Sequence, residues 1–356
     1  MNISTNIIHI VKILHTMFKK ELFCFLLLFI LPGAGSMLNA QPRDAGKISV
    51  IFDTDANNEL DDQHALAYLL FNSDVFDIKG ITVNATRNGG DINEQLKEAE
   101  RVMRLCNSFG KVPLLPGANK GYWAIEKQLH KKDFDGSKAV NFIIEQAQKK
   151  TGDKLVVLAV GKLTNLALAL KVQPDIASKI RVVWLGSNYP KPGEYNLDDD
   201  FMALNYVLSQ PVEFEMAVVR YNAPSGTGAV KFARADIRKI MPGMGPRLKE
   251  PVEGRHGNKF NCFGDYSVNL FNHIKVYGAD SSRALYDMAA VAIVKNPSWA
   301  TAKEIPAPFY DGKNKRWVER PNNKRKIKYW ENFSVAAISE DFYKSMKDYK
   351  TPGRNR

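Results

Sequence analysis

Cysteine is scarce in this 356-residue chain, with three in all, and one of them, Cys24, lies in an apolar run near the amino terminus. The remaining pair, Cys106 and Cys262, is too small a set for a disulfide framework, which excludes the small folds that rely on such staples. Whether those two pair with each other stays open at this level. Long hydrophobic runs are lacking too: Leu22 to Leu31 spans ten residues, short of the ~20 that a bilayer-crossing helix needs. Ser/Gly-rich linkers, internal repeats and low-complexity blocks are absent, which argues for one domain.

The apolar run has a setting. Lys19 and Lys20 precede it, and Pro32, Gly33, Gly35 and a small-residue site at Leu38-Asn39-Ala40 follow, the layout of a secretory signal. Met17 could itself begin a compact signal. The expectation is an exported, periplasmic or secreted chain cleaved near Ala40, with residues 41–356 forming one domain and no stable membrane span after cleavage.

Acidic charge is the minority sign. The net charge is +12, and removal of the signal, with its three lysines and one glutamate, leaves +10. Arg316, Arg320, Lys324, Arg325, Lys326 and Lys328 crowd near Trp317, Tyr329 and Trp330, a composition that nucleic-acid binding also uses. The alternation around Trp317-Val318-Glu319-Arg320 and Ile327-Lys328-Tyr329-Trp330 instead suggests two late hairpin strands with a solvated basic turn, so no nucleic-acid partner is expected.

The few acids are concentrated. In the stretch Asp53-Thr54-Asp55-Ala56-Asn57-Asn58-Glu59-Leu60-Asp61-Asp62, five acids follow the apolar strand pattern of Ile48, Val50, Ile51 and Phe52 and precede the helical pattern of Ala65, Leu66, Tyr68, Leu69 and Leu70. A strand–loop–helix of this kind puts the acids at the carboxyl end of a buried strand, where open α/β sheets bind ligands. Carboxylates this close repel, and a cation relieves them. With no cysteine and one peripheral histidine beside them, the donors suit a hard ion, Ca²⁺ or Mg²⁺, rather than zinc. A solvated turn with Asp61 or Asp62 capping the helix is the competing explanation. An EF-hand loop is excluded, because Asn58 and His64 stand where its glycine and glutamate belong.

Downstream, strands and helices alternate. Asp77 to Asn84 reads as a strand with Asn84, Thr86, Arg87 and Asn88 at its carboxyl end, Asn84 and Asn88 being candidate substrate ligands. Asp91 then caps a helix, Val112 to Leu115 is a short strand, and Ala139 to Lys150 is a helix. Lys154 to Val160 and Arg181 to Gly186 are continuous apolar strands of the kind buried in parallel sheets. Residues 222–265 are broken by Gly and Pro and read as a lid or insertion. Ser267 to Tyr277 and Ser281 to Val294 read as helices. The pattern implies an α/β fold, a mostly parallel open sheet flanked by helices with a Rossmann-like core.

Four segments together resemble the nucleoside hydrolase family, in its inosine-uridine preferring form: Asp53-Thr54-Asp55 with Asp61-Asp62; Gly161-Lys162-Leu163-Thr164-Asn165; Asn188 with Glu194-Tyr195-Asn196, six residues on; and Tyr286-Asp287. The resemblance implies a calcium-dependent hydrolase that cleaves the N-glycosidic bond of ribonucleosides to ribose and free base. It implies Ca²⁺ on Asp55, Asp62, the Thr164 carbonyl and Asp287; Asp55 as the base that activates water; and Asp61, Asn188, Glu194 and Asn196 on the ribose. Relatives are often dimers or tetramers, so a homo-oligomer is an expectation from resemblance alone.

Two departures from the family pattern stand out. Tyr286 occupies the place of the histidine that protonates the leaving base in many relatives, leaving that task to Tyr286, to His256 or to stacking by an aromatic such as Trp330. The interval from Asp55 to Asp61 is two residues longer than the common pattern, which could bring Asn57, Asn58 or Glu59 over the sugar. These departures motivate the alternative expectation, a catalytically silent or altered relative that binds sugars through the same calcium site.

Overall fold

The computed structural model describes residues 46–353; the expected signal at residues 1–40 lies outside them. Eight strands form the central sheet: β1 (Ile48–Thr54), β2 (Phe76–Val83), β3 (Leu114–Pro116), β4 (Leu155–Ala159), β5 (Ile180–Leu185) and β6 (Glu213–Ala217), with β11 (Thr301–Pro306) and β14 (Lys326–Glu331) late in the chain. Their order is β11-β14-β6-β5-β4-β1-β2-β3, all neighbours parallel except β11 against β14. Branched and aromatic residues fill β1, β4 and β5 because helices cover both faces, and burial of both faces removes the need for polar alternation.

The chain leaves β1 toward β2 and β3, then crosses back to β4 on the other side of β1. The loops after β1 and β4 therefore part in opposite directions and open a crevice at the carboxyl rim, the switch point at which such sheets bind ligands. Helix α1 (Leu60–Leu70) leaves this rim and is buried along its whole length. A helix enclosed on every side must be apolar on every side unless each polar group finds a partner. Gln63 donates to Glu98 (3.0 Å), and His64 contacts the Leu60 carbonyl (2.5 Å) and Ser267 Oγ (2.7 Å).

Helices α2 (Ile92–Leu105), α3 (Ser137–Lys149), α4 (Thr164–Val172) and α5 (Phe201–Ser209) follow, α2 capped by the Asp91 carboxylate on Asn93 and Glu94 N–H. The segment read as a lid folds into β7 (Lys231–Ala233), α6 (Arg234–Ile240) and the β8 (Val252–Glu253)–β9 (Lys259–Phe260) pair. Helix α7 runs Phe263–His273, earlier than the expected 267–277. Residues 282–284 are not helical: β10 (Ser282–Ala284) pairs with β7, and α8 (Tyr286–Lys295) begins only after Leu285 turns out of strand geometry. Helix α9 (Val335–Lys347) packs near α1.

The expected late hairpin is not formed. Strand β14 enters the main sheet between β6 and β11, while β13 (Arg316–Val318) pairs with β12 (Phe309–Asp311). Trp317 is packed against Tyr189 and Tyr310, and Tyr329 of β14 also meets Tyr189, so the two segments join one core from different sheets. Part of the basic run is structural, since Arg320 donates to the carbonyls of Ala307 (3.0 Å) and Pro308 (2.9 Å). Cys106 and Cys262 are both buried free thiols. Among the described residues no helix is long and apolar enough to cross a membrane.

Candidate active site

A cavity of about 420 Å³ opens at the switch point. Its deep end is acidic. The carboxylates of Asp61, Asp62 and Asp287 offer oxygens within 4.8 Å of one another, and all three side chains are buried. Asp55 lines the same cavity and lies within hydrogen-bonding reach of Asp62. The sequence separates Asp287 from the other three by more than 220 positions; α8 packing on α1 closes the gap.

Several of the acids are held from behind. Thr86 Oγ1 donates to Asp55 Oδ2 (2.5 Å) and Thr54 Oγ1 to Asp62 Oδ1 (2.5 Å). The backbone N–H groups of Tyr286 and Asp287 lie near Asp61 and favour its charged form, so the amino end of α8 faces the cluster. Asp53 sits beneath, accepting from Thr82 Oγ1 (2.6 Å), Asn165 Nδ2 (2.7 Å) and Asn84 Nδ2 (3.0 Å). These fixed donors set the carboxylates' directions before any ligand arrives.

Burial sets their protonation. Loss of solvent pushes Asp55 and Asp61 up to about 7 and Asp53 to about 6, and drives Asp62 and Asp287 well above the ordinary carboxylate range, with mutual repulsion adding to the effect on Asp62 and Asp287. Among the described residues no Lys or Arg pairs with Asp61, Asp62 or Asp287. Buried carboxylates converging on one point, all oxygen donors, suit a hard cation. The donor set fits such an ion with Asp61, Asp62 and Asp287 as its first candidates and Asp55 beside them.

The structure rearranges part of the expected set. Asp55, Asp61, Asp62, Glu194, Asn196, Tyr286 and Asp287 all line the cavity. Thr164 does not: it starts α4, and its hydroxyl donates to Asp200 (2.5 Å). From that turn it is Val160 that reaches the cavity, its carbonyl accepting from Asn196 Nδ2 (2.7 Å). Asn188 is spent on its own loop, donating to the Pro192 carbonyl and accepting from Tyr221 N–H (both 3.1 Å). Asn84 is buried behind the acids and Asn88 is exposed, neither lining the cavity. His256 is exposed and stacked on His273 at 4.5 Å, and Trp330 donates to Glu215 (2.7 Å) in the sheet, so both lie off the cavity.

Glu194 carries both oxygens on backbone amides, of Ser187, Asn196 and Leu197, which fixes the loop carrying Asn196. In the lengthened acidic loop Asn58 and Glu59 face the cavity, while Asn57 turns away to the Gly89 carbonyl (2.9 Å). The outer end is aromatic and basic: Tyr195, Tyr221, Tyr277, Lys231 and Arg283 join Tyr286 there. None of these five was singled out as a site residue from the sequence. Lys231 lies in the Gly/Pro-broken segment 222–265, whose interruption was the one signal pointing to it, and Tyr221 immediately precedes that segment.

The family model described as inosine-uridine preferring nucleoside hydrolase matches residues 50–329. The chain is 25% identical over 182 residues to the inosine-uridine preferring nucleoside hydrolase of Crithidia fasciculata, an alignment spanning 49% of this chain and about half, 52%, of that protein. Among solved structures, the purine-preferring ribonucleoside hydrolase from Gardnerella vaginalis superposes with a TM-score of 0.66 at 19% identity, covering 84% of this chain and 98% of that one. A plant nucleoside hydrolase gives 0.64 at 16% identity, covering 85% and 99%. At those identities the superpositions speak for the fold.

Proposed function

Because the chain belongs to the inosine-uridine preferring nucleoside hydrolase family, we propose that it hydrolyses the N-glycosidic bond of ribonucleosides, giving ribose and free base, with Ca²⁺ in its acidic centre. One observation carries this reading: acids from the start of α1 and the start of α8 meet beside Asp55, which follows β1, in a single cavity of nucleoside size.

Asp61, Asp62 and Asp287 would hold the ion. Bound there, calcium would lower the pKa of a coordinated water and anchor sugar hydroxyls. Asp55, oriented by Thr86, takes the proton from the attacking water. Asn196, fixed by its donations to the Val160 and Leu185 carbonyls, presents its remaining amide oxygen toward the sugar, and the loop fixed by Glu194 keeps it in place. Positive charge that grows on the ribose as the C–N bond breaks faces these carboxylates, which water screens poorly in a buried site. Tyr286 keeps its phenolic proton, because burial and Asp61 push its pKa up, and so serves as a neutral donor at the leaving base. Export through residues 1–40 would place the substrate outside the cytoplasm.

Purified protein incubated with inosine, uridine, adenosine and guanosine tests the reading. Release of ribose that chelator abolishes and calcium restores is the expected result. Tight calcium and ribose binding without turnover would move the chain to the sugar-binding alternative.

A further inference from the structure

We propose that Arg283, held by Glu59, reads and stabilises the departing base, and that the pair selects bases with two adjacent acceptors, the 6-oxopurines. This rests on the hydrolase reading above.

Glu59 occupies the N-cap position of α1, yet its side chain caps no amide of that helix. It reaches across the cavity wall to pair with Arg283 on β10 instead. Two loop residues beyond the common spacing bring it there, and Asn57 fixes the loop through the Gln95 carboxamide (2.7 Å) and the Arg255 guanidinium (3.0 Å). Arg283 lines the cavity with its side chain only 11% exposed. Its guanidinium lies 5.5 Å from the Tyr277 ring centroid, and a long 3.4 Å contact joins Nη1 to the Lys275 carbonyl. Of five guanidinium N–H groups, Glu59 and Lys275 use two among the described residues.

The position is the outer one. Acids fill the deep end, while Tyr277, 54% exposed, and Tyr221, 41% exposed, border the mouth with Arg283 beside Tyr286. A sugar held by the acids leaves its base among these groups. As the C1′–N bond breaks, its electron pair stays on the base nitrogen, water oxygen bonds to C1′, and Asp55 receives the water proton. The base leaves as an anion facing a cation that keeps its own protons, and Tyr286 or solvent then protonates it. A guanidinium fork matches the paired O6 and N7 acceptors of a 6-oxopurine, whereas the amino group of adenine opposes it.

The test uses the full chain with calcium and five substrates: inosine, guanosine, adenosine, uridine and p-nitrophenyl β-riboside, whose phenolate leaves without help. The expected wild-type preference for inosine over adenosine is about 10- to 100-fold in kcat/KM. Arg283→Met should lower kcat on inosine about 10²–10³-fold, erase that preference, and cost far less on the nitrophenyl riboside. Arg283→Lys should recover part of the loss, and Glu59→Gln should move all values the same way by less. Should Arg283→Met fail to fold, as read by circular dichroism, the other two variants carry the test. Equal losses on every substrate, or an undiminished inosine preference without Arg283, would overturn the proposal. Cleavage of the nitrophenyl riboside but of no nucleoside would overturn it while leaving the hydrolytic centre standing; no cleavage of any riboside would sink both readings.

Discussion

The two ends of the cavity are built by opposite rules. At the deep end every acid is buried and follows a central strand or starts a buried helix, and Asp55 and Asp62 are each oriented by a threonine hydroxyl. At the outer end the groups stand on the short β7–β10 ladder, on loops and at helix starts, half of them in contact with solvent. Pre-organised charge is costly to bury and worth most where water is excluded, so the chemistry sits deep. Recognition can tolerate partial exposure and variation, so the aromatic and basic groups sit at the rim.

Breaking the deep end should cost most. Asp55→Asn removes the base but preserves shape, and kcat should fall about 10²–10⁴-fold with the melting temperature almost unchanged; steady-state kinetics beside a thermal melt checks both. Loss of the fold rather than of rate would mean that Asp55 is structural.

Next comes the ion. Calcium at a hundred times its dissociation constant should stabilise the protein by about 2.7 kcal/mol, and Asp287→Asn should abolish most of that gain. Differential scanning fluorimetry with and without chelator measures it, and an undiminished calcium shift in Asp287→Asn would place the ion elsewhere.

The pH dependence sharpens the contrast. Without calcium, Asp55 and Asp61 hold protons up to about 7 in the folded chain against an ordinary 3.8 for a solvated aspartate. Their contribution to stability is therefore full below the unfolded pKa and lost as pH rises through about 7. His64 acts the other way, since burial lowers it from 6.5 to about 4, and its contribution fades as pH falls through that window. Several raised carboxylates outweigh one histidine, so chelated protein should melt higher near pH 5 than near pH 8. Calcium requires the ionised acids, so its stabilisation should be largest at pH 8 and fade on acidification. Melting curves across pH in both states read the crossing; parallel curves would show that the acids are not the ion's ligands.

The outer end should respond least. Tyr277→Ala removes an exposed ring that packs on Arg283, and we expect KM to rise several-fold with little change in kcat on the nitrophenyl riboside, because truncating an exposed contact costs on the order of 1 kcal/mol.

Much of this was legible before folding. The apolar runs of β1, β4 and β5 could only be interior strands, and acids following such a run fall on a sheet rim whatever the remaining topology. Asp287 was legible because a carboxylate in an apolar helix demands a partner. Other expected residues lie off the cavity for a common reason. Thr164 and Val160 lie in one turn, and only the direction in which α4 leaves the strand decides which of them faces the crevice. Asn188 and His256 carry suitable chemistry, but their amide and ring are taken by Tyr221 and His273. Glu59 was one of three loop residues that could reach the sugar, and only β10, by bringing Arg283 within reach, decided its partner.

The amino-acid order by itself thus determined an α/β chain with a crowded acidic loop on a buried strand, since periodicity and charge act between near neighbours. Which acids converge, which turn residue they meet and which aromatic and basic groups close the mouth were decided by the crossing from β3 back to β4 and by α8 packing on α1. The second of these brings Asp287 to acids more than 220 positions away, and no local preference encodes the angle at which such segments meet.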